Sequence, residues 1–401
     1  MNVAYVTMKF PVPSETFACT DVRALRQSGV GVSVYTMRRP LGRAARMLEE
    51  RGLSDLPVSQ GTLRADLRGL AAMATRPITA ARLVAWIVRV AWRHPRHLLK
   101  SLTLVPRSMG ILSELQRDRP DVVHLFWGHY PSLVGFLVLD ALPTAVLSLF
   151  VGTYDLERRF DGTGWVARRA ALVSTHARCN FPDIEAFGVP PGSIHLAYRG
   201  IDPGLFSRER PKVRCRIVTA GRLDSDKGME DVLLTFREIL APWPEATLRI
   251  LGDGTERARL ERFSAELGLG QSVRFLGHVA HHAVADELAE AEVFLHLSRS
   301  VDDRLPNAIK EAMASRCVCI VTETSGIDEL VEDRRHGFVV SQGNVASAAA
   351  RVDEVFRRQL DATAISHAAS DRISSQFNVT ESMRSYQRRW LAALDAHHVG
   401  L

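Results

Sequence analysis

The 401-residue chain is short of cysteine, has no uninterrupted apolar run long enough to cross a bilayer and shows no repeat of solenoid length. Each shortage removes a class of explanation. The five cysteines, Cys19, Cys179, Cys215, Cys317 and Cys319, are odd in number and scattered, which argues against a disulfide framework and for a reduced cytosolic protein. Cys317 and Cys319 stand two apart on an expected buried strand, with no second Cys or His pair to complete a metal or redox site, so they read as core packing. The most apolar region, residues 132–151, is interrupted by Asp140 and Pro143 and divides into a helix and a strand. The opening MNVAYVTMKF lacks a basic leader followed by a long apolar run and reads as a first strand, not a signal peptide. No GxGxxG follows that strand, where MKFPVPSE stands instead, which argues against a dinucleotide-dependent dehydrogenase.

What is present is an ordinary globular composition, 46% hydrophobic and 24% charged, without biased tracts. The length suits two domains of about 200 residues each. A formal charge of +6 and a pI near 9.3 favour anionic partners, and charge alone does not choose among nucleotides, phospholipid surfaces and nucleic acid. From Arg216 onward, short apolar runs alternate with amphipathic segments: RIVTAGR, EDVLLTFREIL, TLRILGDG, ERARLERFSAELG, VRFLGHV, AVADELAEA, EVFLHLS, NAIKEAMAS, VCIVTE, IDELVED and GFVV. Val232, Leu233, Phe236, Ile239 and Leu240 fall at helical spacing. The pattern predicts an α/β fold with a doubly wound parallel sheet. The first half repeats it less regularly, with VAYVT, a helix from about Glu15 to Gln27, VSVYTM, DVVHLFW, TAVLSLF, LVSTH and IHLAYRG, and predicts a second Rossmann-like domain.

The expected divisions are residues 1–203, residues 204–375 after a hinge in RGIDPGLFSRERP, and a helical tail over residues 376–401 that can return to the first domain. Residues 41–107 interrupt the first domain with a mostly helical insertion rich in arginine. Within it, LVAWIVRVAWRHPRHLLKSL sets Trp86 and Trp92 among Arg82, Arg89, Arg93, Arg96 and Lys100. Two readings stand side by side: an interfacial helix facing anionic lipid, and an amphipathic helix capping the N-terminal sheet. Pro95 interrupts the pattern.

Four features of the second half point to one kind of ligand. GRLDSDKG, residues 221–228, ends a strand, where doubly wound sheets bind ligands, and its Arg222 and Lys227 suit a diphosphate. Its Asp224-Ser225-Asp226 run matches the DxD pattern that holds a divalent cation in other sugar-transfer folds, but beside two cations it reads as a turn or helix cap. LGDG brings Gly252 and Gly254 to the next strand end, and VRFLGHV, with Gly277, reads equally as backbone offered to a nucleotide base and as a plain buried strand. SVDDRLPNAIKEAMA, residues 300–314, places Asp303 in a loop and Glu311 in the following helix, with Leu305, Pro306 and Asn307 forming the turn. Amides at such a helix start attract phosphate, and carboxylates hold sugar hydroxyls, a combination that suggests a nucleotide-sugar site.

These motifs resemble the family 4 retaining glycosyltransferases of the GT-B fold, across nearly the whole chain. Gly221, Arg222, Lys227 and Gly228 are similar to the family's glycine, arginine and lysine-glycine run, Asp303 to Glu311 to its Glu-x7-Glu segment, TSGIDELV to its later glycine-rich turn, and RGIDPGLF to its domain junction. FPVPSETF looks like the branch associated with bacterial exopolysaccharides such as colanic acid. The resemblance implies two Rossmann-like domains facing each other across a cleft. It also implies that Arg222 and Lys227 hold the donor diphosphate, Glu311 binds the ribose and Asp303 faces the donor sugar, with no essential metal or other cofactor. Three departures stand out. Asp303 replaces the first glutamate of the pair, Gly152 sits where many relatives carry a histidine, and Ser325 replaces one glycine of the later turn.

The implied activity is retaining transfer of a hexosyl group from a nucleoside diphosphate sugar to a glycan or lipid-linked acceptor in polysaccharide biosynthesis, in the cytoplasm or at the inner membrane face. Catalysis is then mainly electrostatic, with Arg222, Lys227 and Asp303 as the catalytic candidates. Ser14, Glu15, Thr16, His129 and Asp155 are the acceptor-side candidates, with His124 a further one, and packing or surface roles stand as the competing reading for the two histidines. The expected partners are the donor, the acceptor and an anionic membrane surface, and not nucleic acid. A two-carboxylate hydrolase and a catalytically inactive nucleotide- or glycan-binding relative are the competing readings.

Overall fold

Short aliphatic runs bounded by turns form two all-parallel sheets in a computed structural model that describes residues 1–12, 16–39, 42, 44–158 and 160–399. The first sheet contains β1 (Asn2–Thr7), β2 (Gly31–Thr36), β3 (Val58–Ser59), β4 (Val122–Phe126), β5 (Val146–Phe150), β6 (Leu172–Thr175) and β7 (Ile194–Leu196). Its order is β3-β2-β1-β4-β5-β6-β7, with Val3 opposite Val32 on one side and Val122 on the other. Every residue of β4 and β5 is buried, as a parallel sheet covered by helices on both faces requires. The second sheet contains β8 (Val213–Ala220), β9 (Thr247–Leu251), β10 (Val273–Gly277), β11 (Ala291–His296), β12 (Val318–Thr322) and β13 (Phe338–Val340), in the order β10-β9-β8-β11-β12-β13. In each sheet the order reverses once, between β1 and β4 and between β8 and β11, and that reversal opens a crevice at the strands' carboxyl ends.

The chain divides into two units, Met1–Arg199 with Val379–Leu401, and Gly200–Asn378. In the second, Val232, Leu233, Phe236 and Ile239 of the helix Met229–Leu240 are buried in the core, and Leu240 packs at its edge. IDELVED, expected as a helix, forms only a single 3-10 turn, Ile327–Glu329. Gly326 enters that turn at φ +77°, and the chain runs on without α-helix to β13.

The insertion is helical over Ala44–Glu49, Leu63–Thr75, Pro77–Ala91, Pro95–Thr103 and Val105–Asp118, with β3 between the first two. The tryptophan-bearing stretch is two helices, because Pro95 cannot continue the first and instead starts the second. Its tryptophans separate. Trp86 is buried against Phe136 and Trp165, at ring distances of 4.9 and 5.5 Å, whereas Trp92 lies open to solvent. The helix Pro77–Ala91 therefore buries one face against the helices Ser132–Ala141 and Asp161–Ala167, which carry Phe136 and Trp165, and Arg82 pairs with Asp140 at 2.6 Å.

The last helix, Val379–Val399, packs on the first sheet. Tyr386 donates to Ser174 Oγ at 2.8 Å, and Trp390 Nε1 donates to Ser148 Oγ at 2.9 Å. Ser148 in turn lies 2.9 Å from His124 Nδ1, so its own proton is available to a neutral imidazole. His124 is thus a core residue beneath this helix, not an acceptor ligand. Burial, and after it the charge of Arg199, lowers its pKa to about 3. Burial, followed by the charges of Arg389 and Arg388, lowers His195 to about 4, where Ser385 meets its Nε2 at 3.2 Å. An unfolded imidazole takes a proton near pH 6.5, so below that value the unfolded chain binds protons that these two sites refuse. The stability they provide is full above pH 6.5 and is lost as pH falls toward 3. Urea denaturation of the full chain should show a midpoint that drops steadily from pH 7 to pH 5. Replacing His124 with Gln should flatten that slope, and a midpoint constant over the interval would contradict buried neutral imidazoles.

Candidate active site

The second sheet gathers the motif residues at its carboxyl edge. Gly221, Gly252 and Gly277 follow or end β8, β9 and β10 and lie side by side: Gly221 N donates to Leu251 O and Gly252 N to Gly277 O, both at 2.9 Å. A Cβ on Gly252 would stand 1.8 Å from the Gly221 carbonyl oxygen, so the backbones meet only because no side chain is there. Gly228, at φ +63°, does the same across the switch point, where a Cβ would lie 1.7 Å from Leu297 O. That approach joins the loop after β8 to the loop after β11, and Arg299 N donates to Asp226 O at 2.9 Å to fix it. Arg299 also forks onto Asp231, with bonds of 2.8 and 2.6 Å.

Lys227 and Asp303 meet in this junction, Nζ to Oδ2, at 3.0 Å. His296, the last residue of β11, donates from Nε2 to the same oxygen at 3.0 Å. Burial by itself pushes the Asp303 carboxyl up, but the hydrogen bond and charge of His296, and then those of Lys227, outweigh it and hold Asp303 well below the usual carboxylate range. Asp303 is therefore ionised, with Oδ2 doubly engaged. Arg222 stands apart from this cluster: it is 65% exposed and pairs with Asp224 at 2.7 Å. Asp224 also accepts from Thr255 at 3.4 Å and makes no side-chain cap, which replaces the cap expected of the Asp-Ser-Asp run with an ion pair. Asp226 lies 3.8 Å from Lys227.

Leu305, buried and held at φ +49°, turns the chain into Pro306, which caps the helix Asn307–Ala314 without a side-chain hydrogen bond. The first amides of that helix have no intrahelical acceptors. Asn307 Oδ1 accepts from Lys310 at 3.2 Å. One turn further, Glu311 Oε1 lies 3.2 Å from Nε2 of His281, whose ring stands edge-on to Phe206 at 5.2 Å. His281 and His296 are contacts the motif reading missed. Both sit in segments whose pattern announces only a helix start and a buried strand.

In the N-terminal unit the carboxyl ends of β4 and β5 carry His129, Gly152 and Asp155. Asp155 is fully buried; Oδ1 accepts from both N and Nδ1 of His129 at 2.9 Å, and Oδ2 accepts from Gly152 N at 3.1 Å. Asp155 thus cannot itself touch an acceptor, contrary to the expectation for it, and instead fixes the orientation of His129. The ring of Trp127, a residue at φ +77°, explains Gly152: a Cβ there would stand 2.2 Å from Trp127 Cζ3. Ser14 and Glu15 lie outside the described residues, and Thr16 begins the helix Thr16–Gln27.

Residues 206–372 match the family model described as glycosyl transferases group 1. The sequence is 26% identical to WcaL of Salmonella typhimurium, a glycosyltransferase assigned to colanic acid biosynthesis, over 94% of this chain and 96% of that one. AmsK of Erwinia amylovora, an amylovoran biosynthesis glycosyltransferase, is 27% identical over 48% of this chain and 49% of its own. Among solved structures, Anabaena HepE in complex with UDP superposes with a TM-score of 0.74 at 15% identity, covering 98% of this chain and 100% of that one. Its complex with UDP-glucose gives 0.72 over the same shares.

Restoring a histidine at position 152 should destabilise the N-terminal unit by roughly 1–3 kcal/mol, because the ring has to displace Trp127. Adding Trp127→Ala to Gly152→His should recover part of that loss, a coupling that chemical denaturation of the two single variants and the double variant measures. Strict additivity would mean the two positions do not compete for space.

Proposed function

We propose that this chain, whose residues 206–372 match the group 1 glycosyl transferase model and whose fold is that of the GT-B structures, moves a hexosyl group, with retention and without a metal ion, from a nucleoside diphosphate sugar to a glycan or lipid-linked hydroxyl in polysaccharide assembly. The observation that carries the donor reading is the Lys227–Asp303 pair at the switch point beside an uncapped helix start. Bond breaking at the anomeric carbon leaves negative charge on the departing diphosphate. Lys227, Arg222 and the first amides of the helix Asn307–Ala314 offer positive charge and donors to it. On donor binding Lys227 exchanges a carboxylate for the diphosphate. That exchange leaves Asp303, already ionised and still held by His296, to accept a sugar hydroxyl, while Glu311 takes the ribose. The complexes of HepE make UDP sugars the first donors to try.

A thermal-shift panel of UDP, GDP and ADP sugars tests the donor, since the true one stabilises the fold by mass action. Arg222→Ala and Lys227→Ala should each lower transfer by about 10²–10³-fold, the usual cost of one donor to a developing anion. Transfer should survive EDTA, and the product anomer, read by NMR, should match that of the donor sugar. Wild-type rates in either variant would sink the leaving-group assignment. A chain that binds nucleotide yet transfers no sugar would return it to a binding role.

We also propose that the insertion rests on an anionic lipid surface at the cytoplasmic face of the membrane. No helix among the described residues is long and apolar enough to cross one. The solvent side of the helix Pro77–Ala91 carries Ile78 and Val88 with Trp92 just beyond it, and that of Leu63–Thr75 carries Leu63, Leu67 and Leu70, all exposed. Arg93 lies over the Trp92 ring at 5.0 Å, and Arg64, Arg68 and Arg89 are exposed beside these stripes. Apolar side chains flanked by cations match a headgroup boundary. The protein should sediment with vesicles containing phosphatidylglycerol and not with neutral ones at low salt, and Leu67→Ser with Trp92→Ser should abolish it. Indifference to vesicle charge would remove the idea.

A further inference from the structure

At the amino ends of β8 and β12, the edge of the sheet opposite Lys227 and Asp303, the C-terminal unit opens into a groove of about 630 Å³. Six arginine and lysine side chains line it against two glutamates, Glu209 and Glu292. Two of those cations are neutralised locally, Arg208 by Asp286 at 2.5 Å and Arg210 by Asp286 and Glu290 at 3.0 and 2.9 Å. Glu292 is engaged as well, accepting from Cys215 N at 2.7 Å and lying 3.7 Å from Arg358. Lys212 donates to the carbonyls of Ser315 and Leu288, at 2.8 and 3.3 Å, which satisfy its protons without cancelling its charge. Arg214 and Arg316 pair with no carboxylate among the described residues.

Two of these arginines are held where glycine is the usual occupant. Arg316, just past the helix Asn307–Ala314, has φ +56°, and Arg358, just past Val345–Phe356, has φ +54°. A cation near one helix carboxyl end is favourable in its own right. Arg119 ends the helix Val105–Asp118 in the same left-handed way elsewhere in the chain, but Arg316 and Arg358 both open on one groove, beside Lys212 and Arg214. Bulky side chains kept in that backbone region mark a site when their surroundings share a purpose. The opposite wall, on the helix Ala362–Gln376, presents Thr363, Ser366 and Ser370; the last two hydroxyls donate to the Thr363 and Ala314 carbonyls, at 3.0 and 3.4 Å, and keep their oxygen lone pairs for a ligand.

We infer that this groove binds an acidic oligosaccharide, its arginines forking onto carboxylate or phosphate substituents and its hydroxyls meeting the sugar ring. Guanidinium groups match such anions bidentately, and a concave wall of hydroxyls suits a chain of sugars better than a flat lipid surface. The saccharide part of the inference rests on the polysaccharide reading above; the anion part rests on the groove alone. The site is remote from the donor loops and engages a glycan without taking part in bond breaking.

Isothermal titration of the full chain with oligogalacturonate, with a neutral malto-oligosaccharide and with inorganic phosphate tests it. Oligogalacturonate should bind at low salt and weaken by about tenfold or more on raising the salt several-fold, while the other two bind far more weakly. Arg316→Gly with Arg358→Gly should cost about tenfold in that affinity, and the melting temperature should hold or rise, because glycine suits the left-handed backbone. No binding of oligogalacturonate at low salt, equal binding of phosphate or the neutral sugar, or unchanged affinity in the double variant would each overturn the inference. A wild type that binds through these arginines but transfers no sugar would support the groove and count only against the proposed transfer.

Discussion

The candidate site of the second unit depends on one backbone approach. The loop after β8 passes so near the loop after β11 that a Cβ at position 228 would sit 1.7 Å from the Leu297 carbonyl oxygen. Glycine alone permits it, and the left-handed φ at that position excludes most other residues a second time. Because the loops touch there, Lys227 on one reaches Asp303 on the other, and the Asp226 carbonyl accepts from Arg299 N. The two halves of the sheet's switch point are thereby held as one surface, which is the condition for cationic and anionic groups to converge on a single ligand.

That convergence has an electrostatic consequence. A carboxylate as deeply placed as Asp303 would ordinarily resist ionisation, but His296 and Lys227 both approach the same oxygen and reverse the balance. In the free protein the lysine and the aspartate satisfy each other. The shorter aspartate, in place of the glutamate that the related motif carries, fits this arrangement because it keeps the carboxylate within reach of the end of β11.

The sheet pattern, the glycine turns and the Asp303–Glu311 spacing were legible because they are local. A strand end, a helix start and a glycine between them can be recognised within a dozen residues. The contacts that define the site's chemistry were not. His296 looks like one more residue of a buried strand, and only the fold of the following loop turns Asp303 back onto it. His281 reads as a helix start until Glu311, on another helix, arrives beside it. IDELVED shows the limit in the other direction: it has the apolar spacing of a helix, and the tertiary path from β12 to β13 leaves it one turn.

Asp155 and Gly152 mark the same boundary in the first unit. Their composition drew attention to a loop, but an acidic side chain in a sequence cannot announce that it will be sealed under three hydrogen bonds, nor a glycine that a tryptophan ring will occupy its side. By itself the sequence determined two doubly wound parallel sheets and the strand ends at which the glycine turns gather, because apolar period and turn chemistry act over short stretches of chain. Only the tertiary structure decided which charges meet, which carboxylates are exposed and which arginines share a groove. Those outcomes depend on distances between residues far apart in the chain, and on burial that no single segment controls.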